Sequence, residues 1–413
     1  MAIIKPFKAV RPVKELASRV ASPPYDVMDA AEAREMAAGE PDSFLHISRP
    51  EIDLDVAIDH YSDPVYLRGR QNLADFMSRG VLFQDKADCY YVYRQQMGDI
   101  IQTGLVTCAS VDDYESGVIK KHELTRADKE DDRVRHIDYM DANDEPVFFT
   151  YRFDQAIAAL IKDASNADPE YDFTASDGVR HTFWIINDQA AIDRLTGLFA
   201  AIPNLYVADG HHRSAAAGRV RELRAAANPS HNGTEEYNYF LAVIFPDNEL
   251  NIMPYNRAVK DLNHLTVAEF ISRVAEKFDV TPVSTAVSPQ ERHQFGMYLA
   301  GKWYALTAGN DSFDETDPVN HLDVSILQNN LLNPVLGIRN PRTDQRIHFV
   351  GGIRGVEELV RLVDSGEYEV AFSLHPTSIG ELISLADADK IMPPKSTWFE
   401  PKLRSGLFLH LLK

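Results

Sequence analysis

The residues most able to do chemistry in this chain follow a short apolar segment, LYVA (205–208). They are DGHHR (209–213), and the small residues SAAA (214–217) come directly after them. This order predicts a strand, a glycine turn and the start of a helix. A helix start presents unpaired backbone N–H groups and the positive end of the helix dipole, which together bind anions. We therefore predict a phosphate-binding site formed by Gly210, His211, His212 and Arg213, the alternative being an ordinary polar turn.

A second charged segment is IKKHELT (119–125). The carboxylate of Glu123, beside lysines and a histidine, has the type and setting of a general base. From the residues alone, a solvated charge run leading into a helix is the more economical interpretation. A third segment, KST (395–397), is basic in an acidic chain, and Lys395 is a candidate phosphate contact.

Two familiar classes of site are disfavoured by the spacing of these residues. Histidines and acids supply ligand types for a metal hydrolase, but no HExxH or other recognised ligand spacing joins them. The chain has neither GxxxxGK[ST] nor GxGxxG, so P-loop and Rossmann phosphate binding are not expected.

Composition limits the partners further. The 413 residues carry a formal net charge of −20, which disfavours general binding to nucleic acid or to anionic membranes. The two cysteines, Cys89 and Cys108, lie in apolar stretches typical of buried thiols in a reducing compartment. The N-terminus has no signal-peptide core and no apolar run has membrane length, so we expect a cytoplasmic protein.

The elements that must position these residues follow from the hydrophobic period. Strand and helix patterns alternate through the middle of the chain, beginning with a hairpin over Tyr90–Gln96 and Ile101–Ser110, and predict an α/β fold. The charged stretch 120–144 is expected to be a solvated, mostly helical surface. We expect three regions: a helical and loop-rich N-terminal region (1–84), an α/β domain (85–258) and a C-terminal α/β region (259–413).

At these residues the chain resembles a family catalogued as a domain of unknown function, DUF1015. The resemblance runs along nearly the whole length, in SPPYDV (22–27), FLHISRPEIDL (44–54), KKHELT (120–125), DGHHR (209–213), MPYNR (253–257) and MPPKSTWFEPKLRSGL (392–407).

The KHE and DGHHR motifs are also similar to those of the free-serine kinases of the ParB/sulfiredoxin fold. The resemblance implies a ParB/sulfiredoxin-like central domain in which Glu123 is the base on the serine hydroxyl. It also implies that Asp209 is a catalytic, metal-associated acid and that 210–213 hold the nucleotide phosphates. The chain departs from the compact kinases because 86 positions separate Glu123 from Asp209.

Three functions remain open at this point. The first is transfer of a phosphoryl group from ATP or ADP, with Mg²⁺, to the hydroxyl of a small metabolite, L-serine being the first choice. The second is a nucleotide sensor or ParB-like regulator without catalysis. The third, activation of an acid group in the style of sulfiredoxin, needs a cysteine at the phosphate turn, where this chain has His211. The acceptor and the oligomeric state are left open.

Overall fold

The computed structural model describes all 413 residues and divides them into two compact units. The first comprises 1–250 and 401–413, and the second comprises 251–400. Three regions were expected, bounded at 84/85 and 258/259. The N-terminal region is part of the first unit because β1 (Ile4–Lys5) pairs with a strand of its main sheet. The last thirteen residues return to that unit as well. No helix is long and apolar enough to cross a bilayer.

The mixed α/β class predicted from the sequence is confirmed. The first unit contains nine α-helices: α1 Ala17–Val20, α2 Ala30–Ala37, α3 Leu45–Ser48, α4 Asp63–Ser78, α5 Val111–Glu115, α6 Ala127–Met140, α7 Gln155–Ala164, α8 Gln189–Phe199 and α9 His211–Ala227. Its remaining strands are β2 Val10–Pro12, β3 Leu82–Gln84, β4 Tyr90–Met97, β5 Ile100–Ser110, β6 Ile119–Lys120, β7 Ala142–Asn143, β8 Val147–Tyr151, β9 Tyr171–Thr174, β10 Arg180–Ile186, β11 Leu205–Asp209, β12 Tyr239–Pro246 and, near the C-terminus, β21 His410–Leu411.

The second unit has four α-helices and eight strands. They are β13 Ile252–Met253, β14 Tyr255–Val259, α10 Val267–Val274, β15 Phe278–Val283, β16 Gln294–Leu299, β17 Lys302–Ala308, α11 Asp323–Leu327, β18 Ile347–Gly351, α12 Glu357–Asp364, β19 Val370–Leu374, α13 Ile379–Asp387 and β20 Trp398–Phe399. Its main sheet has the order β15-β17-β16-β19-β14-β18, with every pair antiparallel.

The main sheet of the first unit has nine strands. Eight follow the order β6-β11-β8-β12-β5-β4-β10-β9, and β1 pairs with β5. The pairs β6–β11 and β8–β12 are parallel, while the others are antiparallel. On one face, alternate residues such as Leu105, Phe149 and Ile244 form a core with Ile157 of α7 and Leu195 of α8. The strands β5, β8 and β12 are buried on both faces, so their sequences are nearly continuous apolar runs, which is why the strand predictions in this region were accurate.

One expectation was wrong in part: the charged stretch 120–144 contains the helix α6, but its second half is not a solvated surface. Asp132, Arg133 and His136 of α6 are buried, as are Asp144 and the adjacent Glu145. The apolar side of α6 packs on α9. The charged residues that border this side of the helix are therefore enclosed within the first unit as well. Burial of so many ionisable groups requires that they pair with one another.

Smaller differences concern element boundaries in the second unit. The sequence pattern predicts a helix over 267–278, but α10 ends at Val274 and Phe278 already begins β15. The helices α11, α12 and α13 were not predicted. Of these, α11 has only five residues and is buried throughout, so its sequence carries no amphipathic period.

Candidate functional site

The predicted strand–turn–helix is present at DGHHR. The strand β11 ends at Asp209, and the 17-residue helix α9 begins at His211. Between them Gly210 has a φ of +98° and, lacking a side chain, forms no side-chain cap on the helix. A Cβ at this position would lie 3.2 Å from the guanidinium of Arg213. The turn therefore requires glycine, and the helix start has no side-chain cap on its backbone N–H groups.

The pairing of β6 with β11 brings the KHE motif beside this turn. The two strands are parallel, with Ile119 opposite Leu205, so the residues that follow each strand leave the sheet at the same edge. The rings of His122 and His211 meet edge to face, with centroids 4.4 Å apart. Glu123, which is half-buried, follows His122 in a bend of the chain.

The loop after Glu123 is tied to the same helix start. The backbone N–H of Arg126 donates a hydrogen bond to Nε2 of His212 at 3.1 Å. This contact spans 86 positions of sequence, so the long insertion does not separate the two motifs in space. One of the two histidines of DGHHR thus helps to position the KHE loop.

The two facing imidazoles are buried and incompletely bonded. His122 is 2% exposed and His211 is 6% exposed, and neither Nδ1 of His122 nor Nε2 of His211 has a hydrogen-bond partner. Burial lowers the pKa of His122 to about 4, although Asp209 opposes the shift. Burial, and then His122, also lower the pKa of His211 well below its ordinary value. Both rings are neutral at pH 7, and each has a nitrogen that could take part in a hydrogen bond with a ligand.

Asp209 forms an ion pair that sequence reasoning did not anticipate. Its Oδ2 lies 2.7 Å from Nζ of Lys402, which belongs to the C-terminal segment of the same unit. Burial alone would raise the pKa of Asp209, but Lys402 and then Arg213 hold it well below the ordinary value. Asp209 is therefore a carboxylate throughout the physiological pH range, and Lys402 is an additional residue of the site.

Arg213 points into the unit rather than into solvent. It is 7% exposed, and its guanidinium donates to the carbonyl of Pro146. Asp26 and Glu145 are its strongest electrostatic partners, followed by Asp209. The structure thus couples Arg213 electrostatically to the buried Glu145 and to the more exposed Asp26 and Asp209, while its predicted contact with a phosphate stays a prediction.

Glu145 belongs to a larger group, here called the buried charge network, which is formed by the buried Arg133, Glu145 and Arg213 together with the half-buried Tyr25 and the exposed Asp26. The guanidinium of Arg133 lies 3.9 Å from the centroid of the Tyr25 ring. Glu145 Oε1 accepts hydrogen bonds from the Tyr25 backbone N–H at 3.0 Å and from the Ser405 hydroxyl at 2.8 Å. Burial, and then the adjacent Asp144, raise the pKa of Glu145 despite the two arginines.

Sequence reasoning missed this network, although a signal was available. Tyr25 and Asp26 lie in SPPYDV and Ser405 lies in the MPPKSTWFEPKLRSGL segment, both of which had been singled out for the family resemblance. A cavity of about 10 Å³ next to Glu145 and Arg213 is at the lower limit for one water molecule. The network therefore acts as packed structure behind the helix start.

Lys395, the remaining sequence candidate, belongs to the second unit. Its carbonyl accepts a hydrogen bond from Arg257 at 2.9 Å, and its Nζ lies 5.5 Å from the centroid of the Tyr255 ring. Its proposed contact with a phosphate stays a prediction. No group of three or more His, Cys, Asp and Glu side chains is placed to hold a metal ion by itself.

A family model described as a protein of unknown function (DUF1015) matches residues 4–325. The chain belongs to this family. No curated protein matches the DUF1015 chain.

Several solved structures resemble this DUF1015 protein at low identity. A conserved hypothetical protein from Pyrococcus furiosus is 14% identical, with a TM-score of 0.36, over 75% of this chain and 95% of that one. A free serine kinase in complex with AMP is 13% identical, with a TM-score of 0.37, over 73% and 91%. SbnI with a C-terminal truncation, from Staphylococcus aureus, is 11% identical, with a TM-score of 0.39, over 74% and 87%. These values are too low to assign an activity.

Proposed function

We propose that this DUF1015 protein is a phosphotransferase that moves the terminal phosphoryl group of ATP or ADP to the hydroxyl of a small metabolite, with L-serine as the first choice. The observation that carries the proposal is the pair of buried, incompletely bonded imidazoles of His122 and His211 at an uncapped helix start. A buried polar atom without a partner costs about 1–3 kcal/mol, so such atoms at an anion-binding position are typical of a ligand site.

The nucleotide phosphates would bind the backbone N–H groups in the first turn of α9, and Gly210 allows their close approach. Phosphoryl transfer depends mainly on positioning and charge neutralisation, and the positive end of a 17-residue helix contributes to both. In the transfer, the acceptor hydroxyl oxygen forms a bond to the terminal phosphorus while the bond to the bridging oxygen breaks. Glu123 takes the hydroxyl proton, and ADP or AMP leaves.

Magnesium is part of the proposal, and the residues present fit it. Mg²⁺ is typically held by one or two carboxylates together with substrate phosphates, so a complete protein cage is not required. Asp209 would be its ligand because it remains ionised, with Oδ2 shared with Lys402 at 2.7 Å. When bound, the ion neutralises charge on the phosphates. The proposed roles of Asp209 and Lys402 are thus to hold the ion and to limit the negative charge of the site.

A non-catalytic nucleotide sensor is the second candidate. It is favoured by the packing of Arg213, whose buried guanidinium donates to the Pro146 carbonyl and is electrostatically coupled to Glu145. A sensor needs the helix start of α9 but not Glu123. Nucleotide binding without turnover would therefore select the sensor.

The proposed reaction is tested by incubating purified protein and Mg²⁺ with ATP or ADP and one hydroxylated metabolite at a time, such as L-serine, L-threonine, glycerol or myo-inositol. Phosphorus NMR should detect a new phosphomonoester together with ADP or AMP. The test variant is His122→Phe, which keeps a buried ring but removes both imidazole nitrogens at the helix start, and it should form less phosphomonoester than the wild type. Absence of a phosphomonoester with every acceptor, although calorimetry detects nucleotide binding, would reject the transferase.

A further inference from the structure

A second cavity, of about 720 Å³, lies in the first unit away from the helix start of α9. Tyr151 and Pro246, which pair at the ends of β8 and β12, contribute to its lining. Asp209 pairs with Phe148, three residues back along β8, so about 10 Å of strand separates the two positions. The volume is within the range of small-molecule sites in proteins.

One wall of this cavity is apolar and aromatic. Trp184 of β10 is 4% exposed, and its indole N–H is already bonded to the Ala167 carbonyl at 3.0 Å, which fixes the ring. Ile101 of β5 and Ile161 of α7 lie on the same lining, with Ala158 one turn before Ile161. A rigid ring beside branched aliphatic side chains is suited to the apolar part of a ligand.

The polar groups converge around Arg94. Its Nε donates to the Thr103 hydroxyl at 3.1 Å, its guanidinium lies 4.9 Å from the centroid of Trp184, and it forms no ion pair. The hydroxyl of Tyr151 is fully buried and has no hydrogen-bond partner. Two polar groups of this lining thus lack a full set of partners: the outer N–H groups of Arg94 and the buried phenol of Tyr151.

The charge balance of the lining favours an anion. It contains Arg94, Lys162 and Arg180 against two acids, Asp172 and Glu249. Asp172 is paired with Arg180 at 2.6 Å, and Glu249 accepts the Thr103 backbone N–H at 2.7 Å. Burial raises the pKa of Glu249, although Arg94 opposes the shift. In a chain of formal net charge −20, the cations of this lining outnumber its acids by three to two.

We propose that this cavity binds an amphipathic organic acid, whose carboxylate is held by Arg94 and the Tyr151 hydroxyl and whose apolar body lies against Trp184. The site is separate from the proposed transferase centre, so the ligand is an effector or a second substrate of different chemistry. Tyr151 and Phe149 belong to the same strand, β8, as Phe148, which pairs with Asp209. A ligand that moves Tyr151 would therefore shift the strand beside Asp209.

The test uses 1-naphthoate as the probe and its neutral analogue 1-naphthamide, titrated calorimetrically into the full chain. We expect one naphthoate per chain and at least roughly tenfold weaker binding of the amide, because a charge-assisted hydrogen bond is lost. Arg94→Gln should abolish the preference for the acid. The matched control Arg194→Gln, at an exposed position of α8, should keep it.

A second variant keeps the test independent of the stability of Arg94→Gln. Ala158→Trp should fill the cavity from α7 and abolish binding, while the thermal midpoint stays within about 4 °C of the wild type. Equal affinity for acid and amide, unsaturable binding, or wild-type binding by folded Ala158→Trp would overturn the proposal. Displacement of naphthoate by ATP would overturn it too, since the cavity would then belong to the nucleotide. Failure of phosphotransfer leaves these readouts unchanged.

Discussion

Arg213→Ala should destabilise the first unit more than it affects any ligand contact. The guanidinium is 7% exposed and lies among Asp26, Glu145 and Asp209. Its removal takes one cation from Glu145, which keeps Arg133, and one from Asp209, which keeps Lys402, and breaking a buried charge pair typically costs about 3–5 kcal/mol. Part of that cost is relieved when Glu145, whose pKa is already raised by burial, takes up a proton. We therefore expect a loss of about 3 kcal/mol in the free energy of unfolding.

The measurement is urea unfolding followed by circular dichroism, with the slope of the transition compared between variants. Arg126→Ala is the control, because Arg126 and its partner Asp128 are 62% and 54% exposed. The control should lose less than about 1 kcal/mol. If Arg213→Ala instead unfolds within about 1 kcal/mol of the wild type and loses nucleotide binding, the guanidinium serves the ligand and the buried charge network has been misinterpreted.

Three further predictions concern the same site. Lys402→Met should lower the free energy of unfolding in urea near pH 7 by about 1–3 kcal/mol. It should also raise the pKa of Asp209, measured by carboxyl NMR titration, and an unchanged pKa would contradict the ion pair. Burial lowers the pKa of His122 from 6.5 to about 4, so between these pH values only the unfolded chain binds a proton at this imidazole. The free energy of unfolding should therefore fall as the pH drops through this range. His122→Phe should reduce that loss by up to about 3 kcal/mol, and an unchanged pH profile would refute the pKa shift. Gly210→Ala should lower the thermal stability more than Gly39→Ala. Both glycines have a positive φ, but only a Cβ at Gly210 would meet a neighbouring side chain, that of Arg213. Equal losses for the two variants would contradict this close contact.

Much of the first unit could be predicted because its main strands are nearly continuous apolar runs, buried on both faces, and its helices carry clear start signals. The site turn at Gly210 was predictable for the same reason: glycine between a strand and an alanine-rich helix has few other interpretations. The neighbourhood of His122 and His211 was expected only through the family resemblance. Its physical basis is the parallel pairing of β6 with β11, which no local pattern encodes.

The charged residues of α6 show why the rest could not be predicted. A run with acids and bases is usually a solvated surface, and nothing in the order of Asp132, Arg133 and His136 reveals their partners. Their burial is explained by residues distant in sequence: Tyr66 donates to Asp132 at 2.9 Å, and Tyr25 stacks under Arg133. Such pairs depend on tertiary packing, which single-sequence patterns do not contain.

The central claim is that Glu123 takes a proton during phosphoryl transfer at the helix start of α9. It is tested most directly by single-turnover kinetics with labelled ATP or ADP, Mg²⁺ and L-serine, comparing the wild type, Glu123→Gln and the exposed control Glu35→Gln. We expect nucleotide affinity to be unchanged in all three and the transfer rate of Glu123→Gln to fall about 10²–10⁴-fold, with Glu35→Gln equal to the wild type. Equal transfer rates for the wild type and Glu123→Gln would contradict the account.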